Sequence, residues 1–287
     1  MQDVCEKLEC FLSKNETSAS ALARALGVSP AMISQFRKKE YKGDSEAIAK
    51  KINNYIDNYN QKAQILPTKS SDIFESSDYK LANFVMDEAV SEKEIALIYG
   101  EAGTGKTTIL KEFCAKHSNA VLIEATVHTS AKVMLEDMCE ALKIDAPSSL
   151  NGKLKAAAKF LKNSDKIIVI DEAEHLPLRA LEDLRRIYDF SRTPLILCGT
   201  EILLKNLVGK NKELKQLYSR ICGKWVMKGL SKDECESFFG EHIYEWSKGN
   251  FRSSAKLYKK AKKLAEFNNI EIDSEIVERA TSMVVLG

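Results

Sequence analysis

The residues best suited to chemistry form a glycine-rich segment between an apolar run and a helical stretch. Residues 100–107 read GEAGTGKT, which matches the spacing G-x-x-x-x-G-K-[ST]. Glycines at positions 100, 103 and 105 let the backbone curl so that its N–H groups point at phosphates, and the following helix adds a favourable field. We expect Lys106 to contact the β- and γ-phosphates and Thr107 to bind Mg²⁺. The full set expected to bind nucleotide here is Gly100, Glu101, Ala102, Gly103, Thr104, Gly105, Lys106, Thr107 and Thr108.

Two adjacent carboxylates end a second apolar run. Residues 166–172 read KIIVIDE, which predicts a buried strand ending at Asp171 and Glu172. Asp171 suits the coordination shell of Mg²⁺, and Glu172 suits activation of the attacking water. The alternative is a strand that ends in a solvated acidic turn, which is less economical in a chain that also carries the glycine-rich motif.

Short apolar runs alternate with helical stretches from residue 79 to residue 228, which predicts an α/β fold with a parallel sheet. A strand at 120–124 lies between the two motifs. This inserted strand, and the Glu beside the Asp, resemble the additional-strand, catalytic-glutamate branch of P-loop ATPases. Thr200, after the strand at 195–198, is then placed like the polar residue called sensor 1; the alternative is that Thr200 caps the next helix.

Two arginines lie where AAA+ proteins hold residues that reach nucleotide. Arg220 follows an apolar helix and precedes a strand predicted at 224–227, the usual place of an arginine finger that acts across a subunit boundary. Arg252 belongs to a Gly-Asn-x-Arg pattern that resembles the sensor-2 region of the origin-recognition and transposition group. For each arginine, an ordinary surface position is the alternative.

Residues 19–38 read ASALARALGVSPAMISQFRK, a pattern that predicts a helix-turn-helix. Ala23, Gly27 and Ile33 would supply the small contact residue, the turn and the apolar partner, and Ser29 would cap the second helix. The exposed face of that helix predicts DNA contacts at Ser34, Gln35, Arg37 and Lys38. A small helical bundle that binds protein is the alternative.

A basic stretch lies on a predicted helix before the Asp171 strand. We expect Lys153, Lys155 and Lys159 to contact a DNA backbone, with an ordinary amphipathic helix face as the alternative.

Composition limits the classes of protein that this chain can be. Lys and Arg total 43 and Asp and Glu total 41, so the net charge of +2 excludes a strongly basic, histone-like binder. No apolar run predicts a membrane span, and the N-terminus MQDVCEKLEC is too polar for a signal peptide. The seven cysteines include no CxxC pair, which indicates a reduced intracellular protein. The predicted domains are a helix-turn-helix (1–62), a linker (63–78), the ATPase core (79–228) and a helical lid (229–287).

The order of these motifs resembles one family. A helix-turn-helix ending in YKGD, a linker, GEAGTGKT, VIDEAEHL, LCGT, LYSRI and GNFR follow one another as in the B transposition proteins of phage Mu and its prophage relatives. The resemblance runs from about Thr17 to Ala261. Thr200 departs from it, since Asn is expected there.

The resemblance implies a function. It implies an AAA+ ATPase that uses ATP and Mg²⁺ and polymerises on duplex DNA as a helical filament or ring with little sequence specificity. Such a protein captures target DNA and stimulates the transposase of the same element, in the cytoplasm of a bacterial host cell and without a membrane.

Two other functions stay open. One is a sequence-specific helix-turn-helix transcriptional regulator with an ATPase switch. The other is an ATPase of a secretion or partner-loading system whose N-terminal domain grips protein.

Overall fold

The computed structural model describes residues 4, 7–8, 22–23, 26, 28–37, 41, 43–45, 48–53, 73–145, 147–209 and 214–286. The chain divides into two compact units, residues 1–73 and 74–287. The predicted turn residue Gly27 and the predicted DNA contact Lys38 lie outside the described residues.

The first unit contains the helix α1, Pro30–Arg37. The backbone N–H of Met32 donates to the Ser29 hydroxyl (3.3 Å), which is the capping contact that the sequence predicts. Ala23 and Ile33 are fully buried in an apolar cluster, whose other buried members are Val4, Leu8, Leu22, Phe36, Ile48 and Ile52. These contacts fit the predicted pattern, and the helix-turn-helix as a whole remains a prediction.

The second unit is built on a parallel five-stranded sheet with the order β2-β3-β4-β1-β5. The strands are β1 (Ile95–Gly100), β2 (Ala120–Glu124), β3 (Ile167–Asp171), β4 (Leu195–Gly199) and β5 (Ile221–Met227). Every residue of β3 and β4 is buried, because parallel strands covered on both faces consist of continuous apolar runs. The carboxyl ends of all five strands meet at one edge, where the two predicted motifs come together. The predicted α/β core is therefore confirmed.

Helices connect and flank the strands. They are α2 (Ser77–Glu92), α3 (Lys106–Lys116), α4 (Ala131–Ala141), α5 (Leu150–Lys162), α6 (Leu178–Ser191), α7 (Glu201–Val208) and α8 (Lys215–Tyr218). A short 3-10 turn, Ala173–His175, follows β3. Within the described parts of the chain, no helix is long and apolar enough to cross a membrane.

Two boundaries differ from the sequence interpretation. β5 begins at Ile221, three residues before the predicted start at 224, because its first residues alternate between half-buried and exposed positions and only 225–227 form an apolar run. Residues 74–78, which the sequence pattern places in the linker, lie in the second unit, and Ser76 caps α2 through the N–H of Tyr79 (3.1 Å).

The C-terminal helices lie where the sequence predicts a lid, and they are called the lid below. They are α9 (Lys232–Phe239), α10 (Ile243–Ser247), α11 (Phe251–Asn268) and α12 (Ser274–Thr281), and their core includes Cys235, Ile243, Leu257 and Ala280.

Asp78 fixes the junction between the sheet and the lid. Its buried carboxylate accepts hydrogen bonds from the indole of Trp225 (2.9 Å) and from the backbone N–H groups of Lys228 (2.8 Å) and Gly229 (2.7 Å). The lid is therefore anchored to the first turn of α2 as well as to the end of β5.

Candidate nucleotide-binding site

The glycine-rich loop joins β1 to α3. Gly103 (φ 87°) and Gly105 (φ 101°) take left-handed backbone conformations that other residues adopt only with strain. The hydroxyl of Thr104 donates to the Glu101 carbonyl (2.9 Å) and braces the loop from inside. The ammonium of Lys106 folds back onto the carbonyls of Gly100 (2.9 Å) and Glu101 (2.7 Å). The sequence thus builds a curled loop at a helix N-terminus, a geometry suited to anions.

A cavity of about 250 Å³ opens over this loop. It brings together the P-loop, the end of β3, the end of β4 and the start of α11. The lining residues are Ala102, Gly103, Gly105, Lys106, Thr107, Thr108, Asp171, Glu172, Glu174, Gly199, Thr200, Phe251 and Arg252. Residues that are far apart in the sequence therefore share one site, as the parallel sheet requires.

Asp171 and Glu172 have different surroundings. Asp171 is the last residue of β3 and is 2% exposed, and its Oδ1 accepts the backbone N–H of Glu172 (2.9 Å). Glu172 has a positive φ of 52°, which is uncommon for a residue with a side chain. This turn directs the Glu172 carboxylate away from the strand, and its side chain stays 59% exposed.

Thr200 caps α7 and also lines the cavity. Its hydroxyl oxygen accepts the N–H of Ile202 (3.4 Å), and the residue stands beside the end of β4. Since a hydroxyl can accept one hydrogen bond and donate another, the capping contact leaves its proton available. The capping alternative is present in the structure and is compatible with a second role.

Arg252 lies in the first turn of α11 at the mouth of the cavity. Its backbone N–H donates to the carbonyl of Gly103 (3.0 Å), which brings the lid against the P-loop. Arg252 therefore lies near the glycine-rich loop, and contact of its guanidinium with nucleotide stays a prediction.

Arg220 is absent from the cavity lining. Its guanidinium forms an ion pair with Asp189 on α6 and donates to the carbonyl of Gln216 (2.8 Å). Within the described residues, the contacts of the Arg220 side chain are therefore made outside the cavity of its own chain.

The predicted DNA contacts divide into two groups. Ser34, Gln35 and Arg37 are exposed on α1, and Lys155 and Lys159 are exposed on α5.

Lys153 does not join them. It is 5% exposed, and its ammonium donates to the Pro147 carbonyl (2.8 Å) and lies 3.3 Å from the Glu136 carboxylate. The structure therefore removes Lys153 from the predicted DNA contacts, because its charge is held inside the fold by partners that helical spacing does not reveal.

Sequence reasoning missed Glu174, which also lines the cavity. Its Oε2 is buried and accepts no hydrogen bond from the described residues. The only sequence signal was its position in the run DEAEHL, two residues after Glu172.

A buried thiol lies beneath the site. Burial raises the pKa of Cys198 well above its ordinary value, and the Asp171 carboxylate raises it further. Cys198 is therefore a neutral neighbour of Asp171 rather than a nucleophile.

Comparisons with known proteins agree with this geometry. The sequence pattern of an AAA domain matches residues 87–207. The ATP-dependent target DNA activator B of Escherichia phage D108 is 27% identical, over 83% of this chain and 77% of that protein. The chain is thus similar to the B proteins of Mu-like phages. Another such protein, the Mu-like prophage FluMu DNA transposition protein B of Haemophilus influenzae, is 26% identical over 80% of this chain and 82% of the relative.

A solved structure supports the fold alone. The Walker-type ATPase of Pyrococcus abyssi superposes with a TM-score of 0.55 at 17% identity, and the match covers 75% of this chain and 73% of that protein. The predicted resemblance to the Mu B family and the predicted P-loop ATPase core are thus both confirmed.

Proposed function

We propose that this chain is an ATP-dependent target-DNA activator of transposition. It binds ATP, oligomerises on duplex DNA with little sequence preference, captures that DNA for a transposase and stimulates strand transfer. The observation that carries the proposal is the shared cavity of the P-loop, the Asp171–Glu172 pair and Arg252, in a homologue of proteins named target DNA activators.

The side chains around the cavity fit a nucleotide with Mg²⁺. The hydroxyl of Thr107 and the buried carboxylate of Asp171 supply hard oxygen ligands at the same cavity. No cluster of three or more acidic, His or Cys side chains suited to a metal is found among the described residues. This agrees with Mg²⁺, which usually takes only one or two carboxylates and completes its shell with phosphates and water. Bound there, the ion would neutralise charge on the phosphates.

The protein residues then have distinct roles. The ammonium of Lys106 leaves the two carbonyls and pairs with phosphate oxygens, which are stronger acceptors because they are charged. Glu172 accepts a proton from the attacking water, and the Thr200 hydroxyl helps to orient that water. Arg252 brings positive charge from the lid to the phosphates. The products are ADP and inorganic phosphate.

Assembly completes the site. Arg220 does not line the cavity of its own chain, so we assign it to the nucleotide of a neighbouring subunit, where its charge stabilises the transition state. Hydrolysis then depends on oligomerisation, as a helical filament or a ring, and DNA that aligns subunits would stimulate it.

DNA contacts are proposed for the exposed basic and polar side chains of α1 and α5. The proposed domains are a helix-turn-helix (1–62), a linker shortened to 63–73, a core that begins at residue 74 and runs to 228, and a lid (229–287). Each subunit offers few cations, so binding by one chain is weak and salt-sensitive, whereas many subunits on one duplex add their contacts. We place this activity in the cytoplasm of a bacterial host cell, where the relevant DNA and transposase meet.

ATP hydrolysis by the full chain tests this function. With random-sequence duplex DNA and Mg²⁺, the wild type should hydrolyse ATP faster than without DNA. Lys106→Ala should abolish hydrolysis, while Lys111→Ala should preserve it, because Lys111 lies on the same helix but forms an exposed ion pair with Glu124 (2.9 Å).

The outcome also separates the main alternative. A sequence-specific regulator would bind one operator without ATP, and random-sequence DNA would not change its rate of ATP hydrolysis. No ATP hydrolysis by the wild type under any of these conditions would refute the proposal.

A further inference from the structure

The P-loop has carbonyl groups that face the lid. A loop that turns its N–H groups toward phosphates must turn some carbonyl groups away from them. The Ala102 carbonyl accepts the side-chain amide Nδ2 of Asn250 (2.8 Å), and the Gly103 carbonyl accepts the backbone N–H of Arg252 (3.0 Å). The lid therefore supplies the donors for two consecutive carbonyls of the phosphate-binding loop.

Asn250 is engaged at both ends of its amide. Its Oδ1 accepts the N–H of Ser253 (3.1 Å) and so caps α11, while its Nδ2 donates to Ala102. The reversed amide would set oxygen against carbonyl and NH₂ against N–H, so the two contacts together fix its orientation. Asn is suited to this position because it combines a capping acceptor with a donor on one short side chain.

The P-loop and the lid pack closely at this contact, with no room for a side chain on Gly103. A Cβ placed on Gly103 would lie 2.6 Å from Oδ1 of Asn250 and 3.0 Å from Cβ of Arg252. The preceding Gly249 is also fixed, since its carbonyl accepts the N–H of Leu230 (2.8 Å) at the start of the lid. The amide of Asn250 thus lies between the P-loop and the contact of Gly249 with Leu230 at the start of the lid.

We propose that Asn250 is a positioning residue for the phosphate-binding loop. By holding the Ala102 carbonyl, it keeps the loop N–H groups turned into the cavity and keeps Arg252 at the cavity mouth. The Asn250 amide thus couples phosphate binding to lid position, beside the backbone contact between Arg252 and Gly103. The inference rests on the proposed nucleotide site and adds a residue whose role is to shape it.

Two substitutions separate the hydrogen bond between Asn250 and Ala102 from the helix-capping contact of Asn250. Ser and Asp both cap helices as well as Asn does, but neither provides an N–H donor for Ala102. Asn250→Ser removes only the donor, and the loss of one exposed hydrogen bond should weaken ATP binding by about threefold. Asn250→Asp also directs a negative charge at the carbonyl and the phosphates, so it should weaken binding by about tenfold or more.

The experiment measures ATP affinity by titration calorimetry, steady-state hydrolysis and the thermal unfolding midpoint of the full chain. In both variants the KM for ATP should rise with the loss of affinity, while kcat should stay within about twofold, because the lost interaction is made equally before and during the reaction. Asp273→Ala is the matched control, since Asp273 caps α12 through the N–H of Ile276 (2.8 Å) away from the P-loop. That variant should lower the unfolding midpoint and leave ATP affinity unchanged.

Three results would overturn the inference. Asn250→Ser and Asn250→Asp could both bind ATP like the wild type, which would leave Asn250 as a helix cap only. Asp273→Ala could lose as much affinity as Asn250→Asp, which would trace the effect to general lid stability. A wild type that binds no ATP would refute the proposed function itself and this inference with it.

Discussion

At the scale of single residues, the adjacent carboxylates of Asp171 and Glu172 have different surroundings, which suit different roles. Asp171 is 2% exposed at the end of β3, whereas the side chain of Glu172 is 59% exposed after a backbone turn at φ 52°. A buried carboxylate suits a cation, and an exposed one at the cavity suits proton transfer. The two roles proposed from the sequence therefore have a basis in the local backbone, because strain of this kind is often found at functional sites.

Lys153 and Lys155 provide a test at the same scale. Lys153→Ala removes a buried ammonium that binds the Pro147 carbonyl and the Glu136 carboxylate, so it should destabilise the fold by about 1–3 kcal/mol. The affinity of the folded Lys153→Ala chain for DNA, corrected for any unfolded fraction, should not change. Lys155→Ala should do the opposite, with unaltered stability and weaker, less salt-dependent DNA binding. Equal losses of DNA affinity in both variants would restore Lys153 as a DNA contact.

The sequence predicts some residues of the site well and others poorly. The P-loop and the Asp171–Glu172 pair are contiguous motifs on apolar strands, so their spacing alone places them. Lys153 and Asn250 are different, because their roles depend on carbonyl groups elsewhere in the fold. No periodicity encodes such partners. Helical spacing gives the face on which a lysine lies, but not whether a neighbouring loop covers it.

At the scale of elements, backbone contacts between glycines set the geometry of the lid. Gly229 (φ 91°) and Gly249 (φ 81°) are left-handed and lie against each other's chain segments. The sequence indicates a break at 249–250, but the close approach to Leu230 appears only in the fold.

Gly249→Ala tests that approach. A Cβ there would collide with the Leu230 carbonyl, in addition to the strain of a positive φ. We expect a loss of about 3 kcal/mol or more in the free energy of unfolding, measured with urea. Gly240→Ala is the control, since Gly240 has φ 89° and ψ 171° but no atom within 4 Å of the added Cβ. Only backbone strain of about 1–3 kcal/mol applies there, so its loss should be smaller than that of Gly249→Ala. Equal effects of the two substitutions would show that contact with Leu230 is unimportant.

Glu234 connects the lid to the start of α2 and makes stability depend on pH. It accepts hydrogen bonds from the N–H of Ser231 (2.9 Å) and from the N–H (2.6 Å) and hydroxyl (2.8 Å) of Ser77. Burial acts to raise the pKa of Glu234, but these hydrogen bonds outweigh it and hold that pKa below its usual value.

The sign of the effect follows from linkage. Because the folded-state pKa is lowered, the contribution of Glu234 is complete above its unfolded value of about 4.3 and is lost as the pH falls through the lower folded-state value. The free energy of unfolding should therefore decline in this acidic window. Glu234→Gln should be less stable at neutral pH and should show a smaller decline in acid. An unchanged slope in Glu234→Gln would contradict the assignment.

At the scale of the whole molecule, a net charge of only +2 means that any DNA binding relies on local basic patches. Weak contacts from each subunit add along a duplex. If a residue of the neighbouring subunit completes each nucleotide site, that assembly would depend on ATP. The fold supports this arrangement by leaving Arg220 outside its own cavity. The order of the motifs predicts the family, but the subunit interface lies beyond a single chain.

Mixed variants test the role of Arg220 between subunits. Arg220→Ala should reduce DNA-stimulated hydrolysis by at least about a hundredfold without affecting ATP binding. Asp189→Asn, which removes the ion-pair partner but keeps the guanidinium, should remain active. A mixture of Arg220→Ala and Glu172→Gln chains should recover part of the activity, because each supplies what the other lacks. An inactive mixture of chains that still co-assemble would place Arg220 in its own subunit's mechanism.

Negative-stain electron microscopy of the protein with long, random-sequence duplex DNA and Mg²⁺ tests ATP-dependent DNA capture most directly. We expect continuous protein coating of the duplex with ATP, and naked DNA with ADP or with the Lys106→Ala variant. Bare duplex under every nucleotide condition, or equal coating with ATP, ADP and Lys106→Ala, would contradict an ATP-dependent target-DNA activator.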